Sequence, residues 1–184
     1  DELPRGQDPL QYSDPLERLI RAVSTFPAPV VAMVHGSVWG GATDLVLNCD
    51  LVVGDGTCSF AITPANLGLA YNTTGLLHFM RRLPLNLVKE MFYTASPLRA
   101  EDAARWGVLN HLVAEADLET FTYDLARLMA AKAPLVLSAV KEQLRLLGEA
   151  AGVAPSTLER VQELRQRVYQ SEDYAEGLRA FHEK

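Results

Sequence analysis

The segment His35-Gly36-Ser37-Val38-Trp39-Gly40-Gly41-Ala42 runs from an apolar stretch, Val30–Val34, into a helical pattern that begins near Gly41. The first amides of a helix have no partner inside it and lie at the positive end of its dipole. Glycine lets a bulky ligand approach that backbone closely. Two readings follow: an anion-binding turn, or a glycine turn that serves only tight strand–helix packing. The segment is neither a Walker loop nor a dinucleotide fingerprint, since it has no Gly-Lys-Ser/Thr and its glycine spacing differs from both. His35, His78, His111 and His182 show no metal-ligand spacing, and Cys49 and Cys58 have no partners for a zinc site, so no metal is assigned.

The elements that hold this turn alternate strand and helix in the first half of the chain. After a Pro- and Gly-bearing opening, Asp14 and Pro15 start a helix over Pro15–Thr25, with Leu16, Leu19, Ile20 and Val23 on one face. Val30–Val34 reads as a strand buried on both faces. The helix Gly41–Asn48 follows, then strands at Leu51–Val53 and Cys58–Ala61. Helices at Thr74–Arg82, Asn86–Tyr93 and Ala100–Trp106 precede a last strand, Val108–Val113. From there the chain reads as helix, over about 117–132, 135–147, 156–170 and 172–183. The expected fold is α/β in residues 1–115 with a helical region over 116–184.

Composition narrows the function. The chain has 184 residues, with 48% hydrophobic and 22% charged, as in a globular protein with its own core. Its net charge of −6 argues against broad electrostatic capture of nucleic acid or an anionic membrane. No apolar run approaches the ~18 residues of a membrane span. Two cysteines are too few for a disulfide framework, and Asp1-Glu2-Leu3-Pro4 has no apolar h-region, so a reducing, cytoplasmic compartment is expected.

The segment from Pro29 through the glycine turn to Asn48-Cys49-Asp50 resembles the signature of the crotonase (enoyl-CoA hydratase/isomerase) superfamily. The likeness continues through Phe60–Gly68, Phe92-Tyr93-Thr94-Ala95, Ala100-Glu101-Asp102-Ala103 and Gly107-Val108-Leu109-Asn110. It closes with Ser171-Glu172-Asp173-Tyr174 and Glu176–Phe181. It implies a crotonase-like ββα spiral core and an acyl-CoA thioester whose enolate oxygen is held by two backbone N–H groups. Gly41 matches the glycine that gives one of them. No metal or redox cofactor is implied, because CoA is part of the substrate.

Where hydratases of the superfamily use two glutamates, this chain has Asp44 and Pro64. Proline exchanges no proton, so hydration by two carboxylates is disfavoured. Within the superfamily, Gly36–Ala42 and Thr63–Asn72 look most like the decarboxylating members. The resemblance therefore implies conversion of methylmalonyl-CoA to propionyl-CoA. Tyr71 matches the tyrosine of those members; with an ordinary pKa of about 10 it is a neutral donor at pH 7, suited to orienting a carboxylate. Thr63 matches a threonine of the same group and adds a second hydroxyl. The alternatives are an ordinary loop tyrosine and a threonine satisfied by nearby backbone.

Trp39 is a candidate for lining the acyl pocket or for core packing. Asp44 either faces the pocket or favours the start of its helix. Phe181 and Lys184 match positions where relatives contact CoA, often from a neighbouring subunit, and a homotrimer or a hexamer is implied. The superfamily's other oxyanion donor comes from a stretch expected ahead of Asp1, so the core is expected to lack its N-terminal part. Two rival functions remain open: enoyl-CoA hydration or isomerisation, and a non-catalytic CoA-binding or assembly subunit.

Overall fold

The computed structural model describes residues 11–149 and 155–183. Its strands fall into two three-stranded sheets that the chain visits in turn. The first has the order β1 (Val31–Val34), β3 (Leu51–Asp55), β6 (His111–Val113), all parallel; the second has β2 (Ser37–Trp39), β4 (Ser59–Ala61), β5 (Leu98–Arg99). β2 and β4 are parallel, whereas β5 runs antiparallel to β4. Twice the chain leaves the first sheet and enters the second after a short turn, β1 to β2 and β3 to β4. This is the ββα repeat of the expected spiral core.

Gly36 makes the first of these turns with φ +66°, a left-handed conformation that costs a residue with Cβ. The glycine segment thus holds a short strand, β2, that hydrophobic patterning missed. Three residues between glycines carry no period, and β2 exists because Ser37, Val38 and Trp39 pair with Ser59, Phe60 and Ala61. β1 also departs from expectation. It lies at one edge of its sheet among the described residues, and Met33 is 46% exposed. Burial on both faces belongs instead to the central β3, where Val52 and Val53 are fully buried.

The last strand is shorter than its apolar run. The N–H groups of Val108 and Leu109 turn back to the Ala103 carbonyl at 2.8 and 3.1 Å, so pairing starts only at His111.

The main core packs Val52, Phe60 and Ile62 of the sheets against Phe79, Leu87 and Met91. Those last three come from α3 (Thr73–Arg82) and α4 (Leu85–Thr94), helices whose period was legible in the sequence. α1 (Pro15–Ser24) lies on α2 (Gly41–Leu47), and α5 (Ala100–Arg105) on β4 and β6. α6 (Leu118–Ala130) covers β1 and β3. α7 (Pro134–Glu149) is anchored by Lys141, whose ammonium donates to the Val23 and Ala28 carbonyls at 3.1 Å and pairs with Asp50 at 2.7 Å. α8 (Pro155–Tyr169) and α9 (Glu172–His182) close on the segment before α3. There Tyr169, Tyr174 and Leu178 form a second cluster with Leu69 and Ala70.

Candidate active site

The site grows from the start of α2. Gly40 takes φ +60° and ψ −128°, and its N–H bonds the Ala61 carbonyl at 2.8 Å, fixing the turn out of β2 onto β4. Its own carbonyl accepts from Thr43 and Asp44 as the helix begins. Gly41 is then the first helical residue, and no acceptor among the described residues takes its N–H. A Cβ at Gly41 would lie 2.5 Å from Leu16 Cδ2, so the glycine also admits close packing by α1. The packing reading of the turn is thus seen directly, since the absence of a side chain lets α1 lie close.

One turn into α2, Asp44 is 1% exposed. Burying a carboxylate demands partners, and three donors supply them. The Tyr71 hydroxyl donates to Oδ2 at 3.1 Å, the Asn48 amide donates to Oδ1 at 3.1 Å, and His78 Nδ1 lies 2.9 Å from Oδ1. The Tyr71 ring packs edge-on against Phe79 and Phe92, with centroids 6.1 and 5.2 Å away. Burial, the Asp44 charge and its hydrogen bond push the Tyr71 phenol far above its ordinary range, with Glu17 adding to the effect. Tyr71 therefore stays protonated at any physiological pH.

α3 approaches this close because of Gly75. A Cβ there would stand 2.3 Å from Tyr71 Cε1 and from Asn72 Oδ1, and 2.9 Å from Asp44 Oδ2. His78 lies three residues on, over the same neighbours. Gly75-Leu76-Leu77-His78, a helical glycine three residues before a histidine, is the sequence signal for a histidine reaching Asp44, and it carries no metal-ligand spacing.

Other candidates stand at different distances from this cluster. Thr63 lies two residues beyond Ala61, as Gly41 lies two beyond its register partner Trp39, so both sit past the same ends of adjacent parallel strands. Thr63 is half-buried, and its hydroxyl finds no acceptor among the described residues. Pro64 is buried at the head of a 3-10 turn, Pro64–Leu67. Trp39 is 49% exposed and its indole N–H bonds Ser59 Oγ at 3.2 Å, which replaces the core-packing alternative with a surface position. The Phe181 side chain and all of Lys184 lie outside the described residues. Among those residues, no cluster of three His, Cys, Asp or Glu side chains is arranged to hold a metal ion. Nor is any helix long and apolar enough to cross a membrane.

Of the residues expected from sequence, Asp44 and Tyr71 are hydrogen-bonded to each other and Gly41 lies one turn before Asp44 on α2; sequence reasoning did not find His78, Asn48 or Glu17. Asp44, expected as a pocket residue or a helix-start residue, is the hub of the cluster.

Comparison with known proteins places this geometry. Residues 4–184 match the family model described as enoyl-CoA hydratase/isomerase. Methylmalonyl-CoA decarboxylase of Escherichia coli (strain K12) is 46% identical over 184 residues, which is 100% of this chain and 70% of the relative. Carnitinyl-CoA dehydratase of Proteus mirabilis (strain HI4320) is 36% identical over 158 residues, covering 85% of this chain and 60% of the dehydratase. Among solved structures, methylmalonyl-CoA decarboxylase in complex with 2-nitronate-propionyl-CoA superimposes with a TM-score of 0.95 at 45% identity. The match covers 99% of this chain and 70% of that one. The same enzyme complexed with 2S-carboxypropyl CoA gives a TM-score of 0.95, again at 45% identity, over 99% and 70% of the two chains. The spiral of ββα units, the glycine turn and these matches agree: the chain belongs to the enoyl-CoA hydratase/isomerase family.

Proposed function

We propose that the chain carries the decarboxylation of methylmalonyl-CoA to propionyl-CoA. The observation that carries this reading is the Asp44–Tyr71 pair: a phenol kept protonated, hydrogen-bonded to a buried carboxylate, with Pro64 at the position where a hydratase needs a second acid. Adding water across a double bond takes two coordinated proton transfers. Decarboxylation takes one, after carbon–carbon cleavage.

In this reading the substrate carboxylate docks at Tyr71, with Thr63 as the second hydroxyl. The Tyr71 O–H turns from Asp44 to the incoming carboxylate, and Asp44 keeps His78 and Asn48 as partners. The bond from the α-carbon to the carboxylate breaks, and its electron pair passes into the thioester carbonyl. The resulting enolate oxygen accepts from Gly41 N–H, and one such donor is worth roughly 3 kcal/mol of barrier. CO2 leaves, and one proton added to the α-carbon gives propionyl-CoA. The thioester itself is the electron sink, so the reaction as written needs no metal or redox cofactor.

The relative that binds 2-nitronate-propionyl-CoA supports this reading, because a nitronate is a planar anion like the enolate. Trp39 and Asp44 remain proposed pocket residues, and Phe181 and Lys184 proposed CoA contacts. We extend the reading to a core over 1–115 and an oligomer-forming helical region over 116–184, assembled as a homotrimer or a hexamer. The exposed leucines of α7 support the second part. Two free, buried thiols, Cys49 and Cys58, support a cytoplasmic location.

Incubating the full-length protein with methylmalonyl-CoA and, separately, with crotonyl-CoA tests the reading. CO2 release with formation of propionyl-CoA is expected. Hydration of crotonyl-CoA without CO2 release would reassign the chain to the family's hydratases, and silence toward both would point to a CoA-binding subunit.

A further inference from the structure

Tyr71 lies on a segment with no regular secondary structure, between the 3-10 turn and α3. Both of its chain neighbours are nevertheless held by buried side chains from distant elements. Ahead of it, the Ala70 carbonyl accepts from the Tyr169 hydroxyl of α8. Behind it, the Asn72 side-chain amide donates to Glu17 Oε1 of α1. Asn72 uses its other end as the cap of α3, its Oδ1 accepting from Gly75 N–H at 2.8 Å. Glu17 also accepts from Thr74 Oγ1 at 3.0 Å, and Arg21 stands 3.9 Å from its Oε2.

The carboxylate of Glu17 is 3% exposed, in a helix that otherwise turns much of its surface to solvent. Packing alone would be served by an apolar side chain, at less cost than a buried charge. The carboxylate does what an apolar residue cannot. It fixes which end of the Asn72 amide faces α1, and so presents the carbonyl end to the first turn of α3. α3 in turn carries Gly75 and His78, which close over Asp44. We propose that Glu17 is a positioning residue for Tyr71, acting through Asn72 to set the phenol on Asp44. The proposal rests on the decarboxylase reading of the site.

The test compares Glu17→Ala, Glu17→Gln, Tyr71→Phe and the double variant Glu17→Ala/Tyr71→Phe in the full-length protein, assayed for CO2 release from methylmalonyl-CoA. A displaced Tyr71 should lower kcat on the order of 10- to 100-fold in Glu17→Ala, with KM nearly unchanged. Glu17→Gln should recover most of that loss, because its amide oxygen still accepts from Asn72. In the Tyr71→Phe background, Glu17→Ala should cost nothing further.

An equal loss in both backgrounds, or no recovery by Gln, would overturn the proposal in favour of a purely structural role. The Tyr71 ring signals in NMR spectra of the unliganded protein give a readout independent of substrate. They should shift in Glu17→Ala and return in Glu17→Gln, and unchanged signals in Glu17→Ala would refute the positioning role. If wild type releases no CO2 while these signals behave as expected, the decarboxylase reading fails and the positioning role stands.

Discussion

α3 and α7 solve opposite problems with similar amphipathic sequences. α3 turns Phe79 into the core, and brings His78 and Gly75 against a buried carboxylate whose every partner is identifiable. α7 is inverted. It turns the Lys141 side chain inward, 10% exposed, beside a half-buried Leu137, while Leu135, Leu144 and Leu147 are 84%, 67% and 75% exposed. In the first region polar groups are enclosed and, around Asp44, hydrogen-bonded, with the buried Thr73 hydroxyl the exception; in the second apolar groups are displayed. Under the proposed function the contrast reads as chemistry against assembly: polar groups are enclosed around the proposed reacting phenol, and leucines are displayed on the proposed oligomer-forming region.

Removing the hub of the enclosed region is the strongest way to break the comparison. Asp44→Ala strands Tyr71 and His78, at about 1 kcal/mol or more for each donor, while the Asn48 amide keeps the backbone carbonyl of residue 44 as its acceptor at 2.8 Å. A loss of roughly 2 kcal/mol is expected in urea unfolding, together with loss of decarboxylation. A variant as stable as wild type would mean that the cluster is looser than its hydrogen bonds imply.

Tyr71→Phe sharpens the same region with a smaller structural effect. The ring contacts with Phe79 and Phe92 survive, and Asp44 keeps two of its three partners. Stability should change by about 1 kcal/mol, the net worth of one hydrogen bond. Turnover should fall about 100-fold, as when a group that holds the reacting carboxylate is lost. Unchanged kcat would remove Tyr71 from the reaction and leave it a packing residue.

How much of this could be read beforehand depends on the range of the interaction. The helical period exposed α3, α4 and α6 because each buries one stripe of its own sequence. The turn at Gly36–Gly41 was visible from glycine alone, but β2 inside it needed Ser59–Ala61 from farther along the chain. Asp44 and Tyr71 were singled out because of a family likeness, and no local pattern marks a tyrosine on an irregular segment. His78 and Glu17 escaped for the same physical reason. A polar residue on a helix is ordinarily solvated, and only the close approach of another element turns it inward. The glycine that permits this approach, Gly75, was in plain sight, but a helical glycine signals a contact without naming the partner.

The displayed region is tested by the mildest change. Val136, Val140, Leu144 and Leu147 follow one another at spacings of four, four and three residues, so they form a stripe along one face of α7. They are between 46% and 75% exposed, and replacing Leu144 and Leu147 with Glu should alter the stability of the isolated fold by no more than about 0.5 kcal/mol per site. If the stripe is an interface between copies, the same pair of charges should reduce the solution mass measured by light scattering toward that of a single chain, because unpaired carboxylates would be buried on assembly. Activity should then follow the mass only as far as a neighbouring subunit contributes to CoA binding. Unchanged mass with unchanged activity would show that α7 displays its leucines to no copy of this chain, and the inversion between α3 and α7 would lose its meaning for assembly.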